Sequence, residues 1–143
     1  MRLRAAALIA LLLMTGVAPA GATTRIADDR GGQIGPYLAK YHALRESGDL
    51  VEIDGLCASA CTLLLGAIPR NRICITARAI LEFHAAFNFE PSGQKAISAA
   101  GTRLLWSSYP PDVRRWIGRH GGLSSQILDL RGAELASMFR TCR

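Results

Sequence analysis

The sequence predicts a single α/β domain, because short β-rich runs alternate with helical patterns beyond residue 22. Residues 25–27 and 50–53 are such runs, and each is followed by a stretch of helical character. This alternation is typical of a sheet covered by helices. No internal repeat or linker divides the region, and about 120 residues suffice for one hydrophobic core. We therefore expect one domain over residues 23–143.

The first 22 residues have the character of a cleavable secretory signal peptide. Arg2 and Arg4 precede an apolar run over residues 5–14, shorter than the roughly 20 residues that a membrane-spanning helix needs. Ala18-Pro19-Ala20 and Ala20-Gly21-Ala22 both fit the pattern of a cleavage site. We place cleavage after the second, with the first as the alternative and an uncleaved N-terminal anchor as the competing interpretation. The mature protein is then expected to be periplasmic or secreted, without a stable membrane anchor.

The charge distribution argues against a nucleic-acid partner. The chain has 17 basic and 11 acidic residues, and loss of Arg2 and Arg4 with the leader leaves a net charge of +4. Arg114-Arg115 is the only adjacent basic pair beyond the leader, whereas a nucleic-acid surface needs clustered cations. Gly31-Gly32 lacks the further glycine and lysine of a phosphate-binding loop. We expect no nucleotide or other cofactor.

The four cysteines all follow the predicted leader, and an even number in an exported protein indicates disulfides. Our first choice pairs Cys57 with Cys61 and Cys74 with Cys142. The pairing of Cys61 with Cys74 and Cys57 with Cys142 is the alternative. We expect no metal, because zinc ligands usually come in closely spaced pairs, whereas the histidines are dispersed at His42, His84 and His120.

Hydrophobic periodicity predicts a first helix over residues 34–46, which Gly48 ends. A small-residue stretch over residues 58–66 predicts a buried helix. The remaining predictions are turns over 28–32 and 69–71, strands over 73–75 and 79–83, a loop over 88–93, helices over 96–108, 112–119 and 133–139, and either a helix or a strand over 123–130.

One segment carries residues suited to nucleophilic chemistry. A strand ends near Gly55, a turn follows, and the small-residue helix starts at Ser59. The free N–H groups at such a helix start can stabilise an oxyanion. Downstream, His84 ends a strand, and a serine with a histidine is the minimum for an activated hydroxyl nucleophile. The alternative role for Ser59 is that of an ordinary helix cap.

Three motifs together resemble a known family. Asp28-Asp29-Arg30-Gly31-Gly32-Gln33-Ile34 resembles a turn before that family's first long helix, Gly55-x-x-Ala58-Ser59-Ala60 resembles its nucleophile motif, and residues 80–84 resemble the strand that delivers its base. The family is the ClpP/crotonase superfamily, in particular an exported bacterial branch related to the proteolytic subunit of Clp protease. The 25 residues from Ser59 to His84 agree with its spacing, and the resemblance covers residues 26–84.

The resemblance implies a truncated ClpP/crotonase-like core with a helical C-terminal part. It makes Ser59 the nucleophile, His84 the general base, and the N–H groups of Gly32 and Ala60 the oxyanion hole. The family's triad acid would fall near residues 121–125, which contain no carboxylate. The neighbouring candidates are Glu82, which shares a strand face with the histidine, together with Asp112, Asp129 and Glu134.

Two functions follow from this resemblance. The first is a weak serine hydrolase or peptidase acting on a peptide or acyl substrate, as a monomer or as a homo-oligomer of the kind the family forms. The second is a non-catalytic periplasmic binding or assembly module that keeps the fold without the chemistry. The short segment before residue 28 also allows the chain to be a truncated form of a longer protein.

Overall fold

A computed structural model describes residues 21–143. The predicted leader, apart from its last two residues, lies outside the described residues, and the predictions of a leader and of its cleavage site stay predictions. Within residues 21–143, no helix is both long enough and apolar enough to cross a membrane.

The described chain forms a mixed α/β domain. Its strands are β1 (Thr23–Asp29), β2 (Leu50–Ala58), β3 (Ile73–Ile75), β4 (Ile80–Phe83), β5 (Phe87–Phe89), β6 (Lys95–Ile97) and β7 (Leu128–Arg131). Its helices are α1 (Ile34–Ser47), α2 (Leu64–Ala67), α3 (Ala99–Ser108), α4 (Pro111–Arg119) and α5 (Gly132–Met138). Two 3₁₀ segments, Ser59–Leu63 and Arg70–Arg72, precede α2 and β3.

The main sheet is built around β2. Strands β1, β3 and β4 all run parallel to it, and β7 pairs antiparallel with the outer edge of β4. The resulting order is β1-β2-β4-β7, with β3 pairing with the first half of β2. The fold is therefore α/β, as predicted, but the C-terminal part contributes a strand as well as helices. Of the helix and the strand that were the alternatives over residues 123–130, the strand is present, as β7, and it starts at Leu128.

Strand β2 is longer than predicted, and Ser59 directly follows its last residue. The sequence suggested that Asp54-Gly55 closes the strand, yet β2 continues to Ala58. A Cβ on Gly55 would lie 1.8 Å from the carbonyl oxygen of Ala27, at an irregularity in the register of β1 and β2. Gly55 thus permits a close backbone approach within the sheet, rather than ending the strand.

The first-choice disulfide pairing is the one present. Cys57 and Cys61 are joined with a Cα–Cα distance of 5.3 Å, and Cys74 and Cys142 with 4.9 Å. The second bond attaches the C-terminal segment to β3, where the N–H of Cys142 also donates to the carbonyl of Ile75 at 2.9 Å. These bonds are consistent with an exported protein.

The largest difference from the predicted elements lies between β4 and α3. Residues 88–93 were predicted as a loop and 96–108 as a helix, but β5 and β6 form a separate two-stranded hairpin, and α3 starts only at Ala99. Three-residue strands are too short for a period of two to stand out from a loop. The hairpin forms one wall of the cavity described below.

Candidate active site

Ser59 lies at the junction of β2 and the first 3₁₀ segment in a strained backbone conformation. Its φ of 55° is the only positive φ of a non-glycine residue in the described part of the chain. The left-handed region costs a residue with a side chain about 1–2 kcal/mol. Such strain persists only when neighbouring contacts hold it, and it is concentrated at functional sites.

Several contacts hold this junction. The Thr62 hydroxyl donates to the carbonyl of Ser59 at 2.6 Å and is also 2.8 Å from the Tyr109 hydroxyl. Tyr41, fully buried, donates to the carbonyl of Cys61 at 2.9 Å. The Cys57–Cys61 disulfide brackets Ser59 symmetrically, with one residue between the serine and each cysteine. The serine is therefore fixed from both directions along the chain.

A glycine turn packs directly against this junction. Gly31 has φ of 77°, and a Cβ there would lie 2.5 Å from the carbonyl oxygen of Ala58 and 2.9 Å from the nitrogen of Ala60. Gly32 follows it and lines the same cavity as Ser59. Ala60 is near the start of a 3₁₀ segment, where N–H groups have no partner within the helix. The two predicted oxyanion donors thus belong to segments that are in contact beside Ser59.

An acidic residue that sequence reasoning did not single out holds the glycine turn. Asp29 Oδ1 accepts the N–H of Gly31 at 3.0 Å and the hydroxyl of Tyr37 at 2.5 Å, and Lys40 lies 3.4 Å from Oδ2. Burial alone would raise the pKa of Asp29, but these donors and the lysine charge outweigh it and lower the pKa. Burial and Asp29 together raise the pKa of Tyr37 to about 12, so its hydroxyl stays a donor. The signal for this contact was an aspartate two residues before a glycine.

His84 immediately follows β4. Its Nδ1 is 2.7 Å from the carbonyl oxygen of Ala85, and a carbonyl only accepts, so this contact requires the ring proton on Nδ1. In the neutral ring Nε2 then carries no proton and is available as a base. The Phe87 ring stacks on the imidazole with a centroid distance of 5.8 Å. The histidine is therefore oriented by a backbone carbonyl and an aromatic ring.

Ser59 and His84 line one cavity of about 790 Å³, together with Gly32. This volume is within the usual range of about 300–1,000 Å³ for small-molecule sites. No hydrogen bond joins the serine hydroxyl to the imidazole among the contacts of the described residues. Catalytic hydrogen bonds are often long in unliganded enzymes and shorten when substrate binds.

Within residues 21–143, no carboxylate hydrogen-bonds to His84. Asp112 instead makes a bidentate ion pair with Arg70 at 2.9 Å, and Asp129 lies opposite Glu82 in the antiparallel pairing of β4 with β7. The Ala85 carbonyl occupies the position at Nδ1 that an acid would take. Backbone partners of this kind have no signature in the sequence.

The other two histidines lie away from this cavity. His42 is exposed on α1, and His120 caps the C-terminus of α4. The imidazole of His120 stacks on the Trp116 ring at 4.1 Å, and its Nδ1 is 2.8 Å from the Trp116 carbonyl. In residues 21–143, no three His, Cys, Asp or Glu side chains are grouped so that they could hold a metal ion.

No protein-family model matches the chain, and no curated protein is significantly similar to it in sequence. The site therefore combines a strained Ser59, a glycine turn packed against the segment of that serine, and His84 with its Nδ1 on a backbone carbonyl.

Proposed function

We propose that this protein is an exported serine hydrolase of the ClpP/crotonase type, with Ser59 as nucleophile and His84 as general base. The observation that carries the proposal is the strained backbone of Ser59, at a strand end, in the same cavity as His84. A helix cap does not need a left-handed serine, because cap residues normally have extended backbone angles. The two disulfides are consistent with work outside the cytoplasm, in the periplasm or beyond.

The proposed reaction is acyl transfer to water in two steps. His84 Nε2 takes the proton of the Ser59 hydroxyl as its oxygen attacks the acyl carbonyl carbon. The N–H groups of Gly32 and Ala60 stabilise the resulting oxyanion, each contributing about 3 kcal/mol in comparable enzymes. His84 then gives the proton to the leaving group, and water hydrolyses the acyl-enzyme by the same sequence of proton transfers.

The Ala85 carbonyl limits the rate we expect. It fixes the tautomer that makes Nε2 the base, which is one of the two functions of a triad aspartate. A neutral carbonyl stabilises the imidazolium less than a carboxylate does. Loss of the acid's function costs about 10⁴ in kcat in a serine protease triad, so we propose a slow enzyme rather than an efficient protease.

The second candidate is a non-catalytic binding module. One observation favours it, namely that the serine hydroxyl and the imidazole make no hydrogen bond to each other. In such a protein the cavity would bind a peptide or an acyl compound without cleaving it. The two candidates differ in whether the Ser59 oxygen reacts with an electrophile.

A fluorophosphonate probe separates the two candidates, because it labels only activated serine hydroxyls. Purified protein should be labelled and Ser59→Ala should not. The labelling rate of His84→Gln should be at least about 10²-fold lower than that of wild type. Ser137→Ala, which removes an exposed hydroxyl on α5, is the matched control and should label like wild type. Equal labelling of wild type and Ser59→Ala excludes Ser59 as the nucleophile. Absence of labelling in every variant, with intact folding by circular dichroism, favours the binding module.

A further inference from the structure

The hairpin of β5 and β6 presents one face that combines aromatic and cationic side chains. The register pairs Phe87 with Ile97 and Phe89 with Lys95, and directly opposed or alternate residues share a face. Lys95 Nζ lies 4.2 Å from the centroid of the Phe87 ring, the same ring that stacks on His84. A positive charge is thus held one side chain away from the proposed base.

The cavity has cationic side chains and no acidic ones among its lining residues. Arg30 and Lys95 both line it. Lys95 makes no ion pair with any described residue. Arg30 is 3.7 Å from Asp28, but these side chains are 79% and 61% exposed, and exposed pairs of this kind contribute little. The charged side chains among the lining residues are therefore all cationic, and they favour an anionic ligand over a cationic one.

Apolar side chains form another part of the wall, beside the polar Gln33, Asn88 and Ser98. Ile34 from α1 and Leu105 from α3 line it with Phe87 and Phe89, and Phe89 is 69% exposed. An aromatic residue with most of its surface in water, at the mouth of a cavity, is available to cover the apolar part of a ligand.

We infer that the site selects ligands in which an apolar group is attached to a carboxylate, and that Lys95 determines this preference. The substrate class is then an ester or amide whose acyl or leaving part carries a free carboxylate, such as a peptide cleaved near its C-terminus. The hydrolysis of such ligands rests on the proposed function, whereas their binding does not. A cation about 4 Å from a carboxylate in water favours it by about fivefold, and a matched ammonium is disfavoured by a similar factor.

Binding to the Ser59→Ala protein tests the inference without any hydrolysis. The probes are 4-phenylbutyrate and 4-phenylbutylamine, which match in shape and differ in charge, with affinities measured by NMR titration at low salt. We expect the carboxylate to bind about tenfold more tightly or better, and Lys95→Gln to reduce this ratio to about threefold or less. Arg115→Gln, which removes an exposed cation on α4, is the control and should leave the ratio unchanged.

A second pair of probes addresses the source of the carboxylate. N-acetylphenylalanine and its amide differ only at the C-terminal group, so a preference for the acid indicates a free peptide C-terminus. If both acids bind no better than their uncharged or cationic counterparts, or if Lys95→Gln leaves the preference intact, the inference is wrong. A preference for the acids in a protein that the fluorophosphonate does not label would favour the binding module over the hydrolase and support the ligand class.

Discussion

The Cys74–Cys142 disulfide closes a much longer loop than the Cys57–Cys61 disulfide, and the two bonds should therefore stabilise the fold unequally. Their sequence separations are 68 and 4. Loop-closure entropy in the unfolded chain then gives about 4 kcal/mol for the long loop and about 2 kcal/mol for the short one. The larger value is a substantial part of the roughly 5–15 kcal/mol that stabilises a typical domain.

Each bond can be isolated in a double variant, and the oxidised and reduced forms of that variant then share one sequence. In the double variant Cys57→Ala/Cys61→Ala only the long-loop bond remains, and in Cys74→Ala/Cys142→Ala only the short-loop bond. The free energy of unfolding of each variant is measured in urea with and without a thiol reductant, following tryptophan fluorescence, to which the buried Trp116 and the partly exposed Trp106 contribute. Reduction removes only the cross-link, because the thiols keep the packing positions of the disulfide.

We expect reduction to cost about 4 kcal/mol in the first variant and about 2 kcal/mol in the second. A short-loop bond that contributes as much as the long-loop bond, or more, would refute loop-closure entropy as the source of the difference.

Two further predictions concern the segment that packs against Ser59. Gly31→Ala should destabilise the protein by about 1–3 kcal/mol and abolish fluorophosphonate labelling. The control is Gly93→Ala, because Gly93 has a similar φ of 81° but its Cβ would meet nothing within 4 Å. Equal effects of the two substitutions would contradict a clash at Ala58. Asp29→Asn should cost about 0.5–1 kcal/mol at pH 7. Because the folded-state pKa of Asp29 is lowered, this difference should shrink as the pH falls below about 4. A difference independent of pH in urea titrations would assign the effect to packing.

Elements with a strong local signal were predicted well from the sequence. Helix α1 was expected over residues 34–46 and spans Ile34–Ser47, and Gly48 ends it with a φ of 80°, as its position after the last periodic residue indicated. Helix α4 begins with Pro111 in its first turn, which is where proline suits a helix. In both cases the residue that marks the helix boundary lies at that boundary in the sequence.

Elements that depend on distant partners were predicted poorly. The continuation of β2 through Asp54 and Gly55 depends on Ala27, which is 28 residues from Gly55 in the chain. Asp54 itself is buried and is paired with Arg25 and Arg78, so its charge did not mark a turn. A local pattern carries no information about such partners, and both residues therefore resembled a strand end.

The candidate site likewise contains features that the sequence predicted and features that it did not. Ser59, His84 and the two backbone donors were expected from motifs and their spacing, and the structure places them around one cavity or in segments that touch beside it. The Ala85 carbonyl, the Asp29 contacts and the cationic hairpin were not expected. Each of them depends on backbone atoms or on three-residue strands, which leave little trace in residue identity.

The bond between Cys74 and Cys142 also has a consequence for resistance to proteolysis. It makes the chain from β3 to the C-terminal segment a covalent ring that includes the exposed hairpin turn at residues 91–93. A protease that cuts this turn would open the ring without releasing a fragment, because both pieces stay attached through the disulfide. The exposed hairpin beside the cavity can therefore be cut once without loss of either piece of the chain.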